Sequence, residues 1–165
     1  MIKVVKGDMV KHLESKYRLD AYAHQCNCFC RMGRGIAPLL AKAVPGLRKA
    51  DDMTVPGDKS KLGTFSFTEY KGSGTLVYNL YGQYHWIKHK VAPGRNTDYK
   101  ALRECLVNMK IHLIYANRGS VKKNLTLGLP LIGCGLAGGD WEGVVFPMIE
   151  EVFDNSGIDV TIFKL

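Results

Sequence analysis

Apolar and polar positions follow two rhythms along this chain. The two-residue rhythm of strands appears in several short runs. "IKVVKGD" (Ile2 to Asp8) predicts a first strand ending at Gly7. "DAYAHQCN" (Asp20 to Asn27) predicts a second, with side chains small and apolar enough for a central position. In "KSKLGTFSFTEY" the residues Thr64, Ser66 and Thr68 alternate with Phe65, Phe67 and Glu69, and "GTLVYNLYG" follows after a Gly72-Ser73-Gly74 turn. That pair predicts a β-hairpin. "NLTLGLPLIGCG" is an apolar β run leading into glycines, and "IDVTIFKL" predicts a last strand.

The helical rhythm fills the intervals. "MVKHLESK" fits a brief helix or turn. "IAPLLAKAV" (Ile36 to Val44) predicts a helix, with Pro38 tolerated in its first turn and Pro45-Gly46 stopping it. The longest pattern is Thr97 to Gly119, where Leu102, Leu106, Met109 and Leu113 recur at helical spacing. Thr97 is the expected cap and Gly119 the expected end. "DWEGVVFPMIEEVFDNSG" predicts a last helix with Pro147 as an irregularity inside it. "HWIKHKVAPGRN" reads as a basic loop.

Strands alternating with helices predict an α/β fold: a sheet covered on both faces, with one antiparallel hairpin. The 165 residues suit a single domain, 1–165, and no linker or repeat divides them. Hydrophobic residues at 46% and charged residues at 23% predict a globular chain. No apolar run is long enough to span a bilayer, and no signal peptide is visible. The five cysteines are therefore expected as reduced thiols in a cytoplasmic protein. The net charge of +8 favours an anionic partner: a nucleotide, a phosphorylated metabolite, or weak contact with nucleic acid. The cations are spread along the chain, and no nucleic-acid recognition motif accompanies them.

Candidate chemistry gathers at two glycine loops, "RMGRGIA" and "IGCGLAGGDWE". Each follows a β run and precedes a helix. Their backbone N–H groups and the helix starts would cradle anions, and two such loops suit a diphosphate better than one phosphate. The alternative is a pair of tight turns. Neither loop matches the dinucleotide or P-loop patterns. The cysteines before the first loop, Cys26, Cys28 and Cys30, have spacing unlike that of zinc ligands. They are expected as small packing groups, with no metal or cofactor. Cys134 is expected to be there for size, though a helix N-terminus would lower its pKa.

"VKGDM" (Val5 to Met9), "AHQCNCFCRMGRGIA" (Ala23 to Ala37), "LPLIGCGLAGGDWEGV" (Leu129 to Val144) and "VTIFKL" together resemble a macro domain, in the family's motif order and over nearly the whole chain. The "H-x-CNC" stretch is similar to yeast-type ADP-ribose 1″-phosphate phosphatases. "CRMGRGIA" and "IGCGL" look like the terminal ADP-ribose protein glycohydrolase branch. "NLYGQYHW" and "GCGLAGGDW" are also similar to DNA-ADP-ribosyl glycohydrolase antitoxins.

The resemblance implies a three-layer α/β/α sandwich with a mixed central sheet, monomeric, with an ADP-ribose cleft. Asp8 matches the aspartate that takes the adenine amine, with Met9 beside it; its other reading is a helix N-cap. Phe163 and Leu165 match positions near the adenine, or simply pack. Gly33, Arg34, Gly35, Ile36 and Ala37 match the first diphosphate loop. Ile132, Gly133, Cys134, Gly135, Leu136, Ala137 and Gly138 match the second. At the distal ribose the resemblance brings His24, Asn27, Asp140 and Gln83. His24 is either an acid or water-positioning group or a buried strand histidine. Asp140 either orients water or caps the helix after it, where Glu142 is a first-turn charge. The glycohydrolase branches carry a lysine where this chain has Gln83, or Gly82 after a one-residue shift, and the terminal-glycohydrolase branch has a loop aspartate where this chain has Ala137. Lys88 and Lys90 are near in sequence but do not align, and read as an exposed loop. The leading expectation is an ADP-ribose 1″-phosphate phosphatase. The alternatives are a hydrolase of ester-linked ADP-ribose on protein or of modified nucleic acid, and a non-catalytic ADP-ribose-binding module.

Overall fold

The computed structural model of the chain describes residues 1–87, 94–122 and 124–165. Lys88, Lys90 and the middle of the basic loop, residues 88–93, lie outside them. The strands are β1 (Ile2–Lys6), β2 (Ala21–Gln25), β3 (Phe65–Glu69), β4 (Leu76–Leu80), β5 (Leu125–Leu129) and β6 (Ile158–Lys164). The helices are α1 (Met9–Glu14), α2 (Ile36–Ala43), α3 (Leu47–Asp52), α4 (Tyr99–Ala116) and α5 (Phe146–Phe153). Six strands form one sheet in the order β1-β6-β5-β2-β4-β3. All neighbours are parallel except β3, which runs antiparallel at the edge. The predicted sandwich and its hairpin are both present. No helix is long and apolar enough to cross a membrane among the described residues.

Alternation on the strands builds two cores. Ala21, Ala23, Tyr78, Leu80, Leu127, Leu129, Val160 and Ile162 face α4 and α5. Tyr22, Val77 and Phe163 face α1, α2 and α3. α4 supplies Leu102, Leu106, Met109 and Leu113 to the first core, as its periodicity predicts.

Three details differ from the sequence expectation. Pro45-Gly46 stops α2, but a further helix, α3, starts at once: Gly46 turns through φ 91°, and buried Leu47 and Asp51 sit one helical turn apart. Leu47 and Ala50 are its apolar residues, too few to show a helical stripe. Asp98, not Thr97, caps α4 by accepting from the Ala101 N–H, and the helix ends at Asn117 rather than Gly119. Thr97 is instead drawn to the neighbouring loop. The last helix begins as a π-helical turn, Trp141–Val145, in which the Val145 N–H reaches the Asp140 carbonyl. Pro147 then lies in the first turn of α5, where its missing N–H costs nothing.

Candidate ligand-binding crevice

The site is built by a gap in the sheet. β2 pairs with β4 over five residues, and so does β5 with β6. β2 pairs with β5 at only two, Ala21↔Leu127 and Tyr22↔Gly128. Beyond these the two central strands splay at their carboxyl ends. The chain leaves β2 toward α2 and α3 on one face, and leaves β5 toward α5 on the other. Such a switch point opens a crevice in α/β sheets. The segments that follow β1, β2, β4 and β5 lie along this edge with the end of β6, because all five strands are parallel.

The first glycine loop leaves β2 through a tightly tied segment. Asn27 donates from Nδ2 to the Arg31 carbonyl at 2.8 Å and accepts from the Phe29 N–H at 2.9 Å. The Cys28 N–H donates to the Tyr84 carbonyl at 2.9 Å. Gly33 and Arg34 are exposed, and Ile36 and Ala37 open α2 half-buried. Gly35 adopts φ 64°, in the region that favours glycine, and α2 starts without a side-chain cap. Its first N–H groups therefore face the crevice edge uncapped.

The second loop is folded back on itself. The Gly139 N–H donates to the Gly133 carbonyl at 2.8 Å, and the Gly138 N–H to the Gly135 carbonyl at 3.0 Å. Ile132 is buried and anchors the loop; Gly135, Leu136 and Gly138 are exposed, and Ala137 is half-buried. Gly138 has φ 76°, and a Cβ there would collide with the Gly94 carbonyl. The Ala137 carbonyl takes the N–H groups of Asn96 and Thr97. The two loops meet: Leu136 Cδ1 lies 4.0 Å from the Cβ position of Gly35. Asp140 is exposed and accepts from the Gly143 N–H at 3.0 Å, so it does cap the turn after it.

At the β4 side, Gln83 follows the strand. Its Oε1 accepts from Gln25 Nε2 at 2.9 Å, and its Nε2 donates to the His85 carbonyl at 2.8 Å. Gln25 Nε2 also donates to Thr97 Oγ1 at 2.9 Å, and Thr97 Oγ1 donates in turn to the Gly133 carbonyl at 2.6 Å. Phe29, Tyr84, His85 and Trp86 cluster above, with the Arg31 guanidinium 4.7 Å from the Trp86 ring centre.

At the β1 side, Asp8 caps α1 through Oδ1, which accepts from the N–H groups of Val10 at 2.9 Å and Lys11 at 3.2 Å. Both capping bonds fall on Oδ1, so Oδ2 is outside the cap. Tyr22 OH accepts from the Leu19 N–H and shares a hydrogen bond with His12 Nδ1 at 2.8 Å. The His12 ring lies 5.0 Å from that of Phe163, and burial holds its pKa below the ordinary histidine value. Met9 and Phe163 are buried in the core, while Leu165 is exposed.

No family model matches the chain. It is 33% identical over 165 residues to the human ADP-ribose glycohydrolase OARD1, spanning 99% of this chain and 91% of that protein. This chain belongs to the macro domain family. A second relative is the uncharacterized 17.5 kDa protein in the tk-vs intergenic region of Enterobacteria phage T4, 32% identical over 98% of this chain and 95% of that protein. In three dimensions the macrodomain of Thermus aquaticus DarG superposes with a TM-score of 0.71 at 20% identity, covering 99% of this chain and 97% of the other.

Within this macro domain the expected residues divide. Asp8, the two glycine loops, Asp140 and Gln83 come to one edge of the sheet. His24 does not. It points to the opposite face of β2 from Gln25, is fully buried, and donates from Nε2 to Asn79 Oδ1 at 2.7 Å. Burial lowers its pKa to about 4, so it stays neutral and has no access to a substrate. The catalytic expectation for His24 is corrected to a structural one. Asn27 is 8% exposed and uses its amide to close its own loop.

The cysteines are packing groups. Cys26 and Cys28 are buried, and desolvation raises both thiols, Cys28 to about 11. Cys134 is pushed up to about 12 by burial and by the Asp140 charge, the reverse of a helix-terminus effect. Cys30, Asp51 and Asp52 approach within 4.8 Å of one another, but the buried Lys61 ammonium lies 3.6 Å from Cys30 Sγ and disfavours a cation there. Gln25 and Thr97 carry no signal of site chemistry in the sequence; only the fold brings them to the crevice.

Proposed function

We propose that this macro domain binds ADP-ribose along the crevice and hydrolyses an ADP-ribose derivative, with ADP-ribose 1″-phosphate as the preferred substrate. The observation that carries this reading is the linear order of groups on the sheet edge. Asp8 follows β1 and Gln83 follows β4, four strand positions apart, or ~19 Å at the usual strand spacing. The two glycine loops, after β5 and β2, fall between. A carboxylate, two loops of N–H donors and a neutral amide follow one another as adenine, diphosphate and distal ribose do in an extended ligand.

In this reading Asp8 Oδ2 accepts the adenine amine. The N–H groups of Gly33 to Ala37 and those of Gly133, Gly135, Leu136 and Ala137 hold the diphosphate. Their binding energy orients the distal phosphate. Gln83 and Asp140 orient a water whose oxygen attacks phosphorus. The bond from phosphorus to the C1″ oxygen breaks, and the water's proton balances the departing hydroxyl. Gln83 favours direct hydrolysis over sugar release through a covalent adduct, because a carboxamide is no nucleophile and the glycohydrolases that the sequence resembles have a lysine there. The experiment is phosphate release from ADP-ribose 1″-phosphate by wild type and Gln83→Ala. Turnover by wild type that falls at least tenfold in the variant supports the reading; no release by wild type overturns it.

The identity to a protein named an ADP-ribose glycohydrolase favours a second reading, removal of ester-linked ADP-ribose. It is tested with ADP-ribosyl peptide esters and ADP-ribosylated DNA in the same assay. Binding of ADP-ribose with no product from any of these would leave a binding module.

A further inference from the structure

The amide of Gln25 is held by two loops at once. It lies on the α4 side of β2, beyond the last pairing with β5, where the sheet has opened. A Cβ on Gly82 would collide with Gln25 Oε1, and one on Gly133 would come within 3.0 Å of it. Glycines at the ends of two different strands thus make room for one carboxamide. Its Nε2 donates to both Gln83 Oε1 and Thr97 Oγ1. Its Oε1 is buried and has no hydrogen-bond partner among the described residues. A buried acceptor without a partner is destabilising. An apolar side chain of similar size would fill the space without that cost. What Gln25 contributes is therefore its two donors.

Those donors fix Gln83. The Gln83 amide is pinned at both ends, by Gln25 at Oε1 and by the His85 carbonyl at Nε2. The second Nε2 hydrogen and the second Oε1 lone pair then have set directions. Through Thr97 the same amide also steadies the Gly133 carbonyl in the second glycine loop. We infer that Gln25 is a positioning residue that holds the Gln83 carboxamide and the second glycine loop in one geometry, and so sets how the distal-ribose substituent is recognised. This rests on the proposed function for the ligand. Preorganised donors lose less on binding and discriminate more sharply than mobile ones.

The test compares wild type with Gln25→Leu in the full chain. ADP-ribose affinity by calorimetry is expected to weaken but stay measurable, because the second glycine loop loses one tether while Asp8 and the first glycine loop are untouched. With ADP-ribose 1″-phosphate, kcat is expected to fall at least tenfold, by more than KM rises. The Gln83 side-chain amide signals in nuclear magnetic resonance are expected to lose their fixed positions. An unchanged kcat in a folded variant overturns the inference. If wild type binds ADP-ribose but turns over no derivative, the reaction is wrong, and the amide signals still decide the inference. A Gln83 shift on adding ADP-ribose that is lost in Gln25→Leu supports it, and the same shift in both proteins overturns it. If wild type binds no ADP-ribose, both fall together. Gln25→Met, longer and unbranched, serves if the leucine variant does not fold.

Discussion

His24 donates its Nε2 proton to Asn79 Oδ1 at 2.7 Å, and the bond begins a buried polar chain. Asn79 Nδ2 donates to the Leu47 carbonyl and to Ser66 Oγ. Ser66 reaches Tyr81 OH, and Tyr81 donates to Asp51 Oδ1 at 2.8 Å. The chain ties β2, β4, β3 and α3 together. Because Asn79 donates with its nitrogen, its oxygen must accept, which fixes the His24 tautomer.

This chain makes stability depend on pH. Unfolded, a histidine titrates near 6.5; folded, His24 is held at about 4 by desolvation. Between those values the unfolded state binds the proton and the folded state does not. The stability contributed by neutral His24 is full above pH ~6.5 and is lost as pH falls toward 4. His12 and His112 are lowered as well and act in the same direction. Urea midpoints measured from pH 7.5 to 4.5 should fall steadily. His24→Ala should lower stability by about 2–4 kcal/mol, with turnover per folded molecule unchanged. A selective loss of turnover in this variant would restore His24 to the chemistry.

Asp8 separates its two roles by atom. Asparagine keeps a capping oxygen for the Val10 and Lys11 N–H groups but replaces the second oxygen with a donor. Asp8→Asn is expected to leave the thermal midpoint within a few degrees and to weaken ADP-ribose binding about tenfold. Asp8→Ala should lose that binding and about 1 kcal/mol of stability besides. Equal affinity in Asp8→Asn and wild type, by calorimetry, would remove Asp8 from adenine recognition.

Gly138 carries a steric requirement rather than a preference. With φ 76° and the Gly94 carbonyl at its Cβ position, Gly138→Ala must displace the second loop. Binding of ADP-ribose should weaken by at least tenfold, while the far-ultraviolet circular dichroism of the sheet and helices stays as in wild type. Gly72→Ala, in the hairpin turn with open space around it, is the control and should leave affinity unchanged.

Thr97 links the α4 start to the loop after β5. Thr97→Val removes the donor to the Gly133 carbonyl and the acceptor for Gln25 Nε2 at once. The expected cost is about 1–3 kcal/mol in chemical denaturation, with faster hydrogen exchange at the Gly139 amide. Wild-type exchange there would mean that the loop is held without Thr97.

By itself the sequence determined the alternation of strands and helices, the hairpin, the long amphipathic α4 and the two glycine loops, because periodicity and turn chemistry are local. It also determined the family, since "VKGDM", "CRMGRGIA" and "IGCGL" occur in order. Tertiary structure decided what each polar residue faces. One step along β2 separates His24 from Gln25, and strand alternation sends the first into the core and the second to the crevice. Which face is which depends on where α3 and α4 pack, and that is not written in the local pattern. Thr97 likewise looked like a cap because it precedes a helix, yet Asp98 took the cap and Thr97 turned to Gly133, a residue 36 positions away. The splay between β2 and β5 that creates the crevice arises from strands about a hundred residues apart, and only packing could place it.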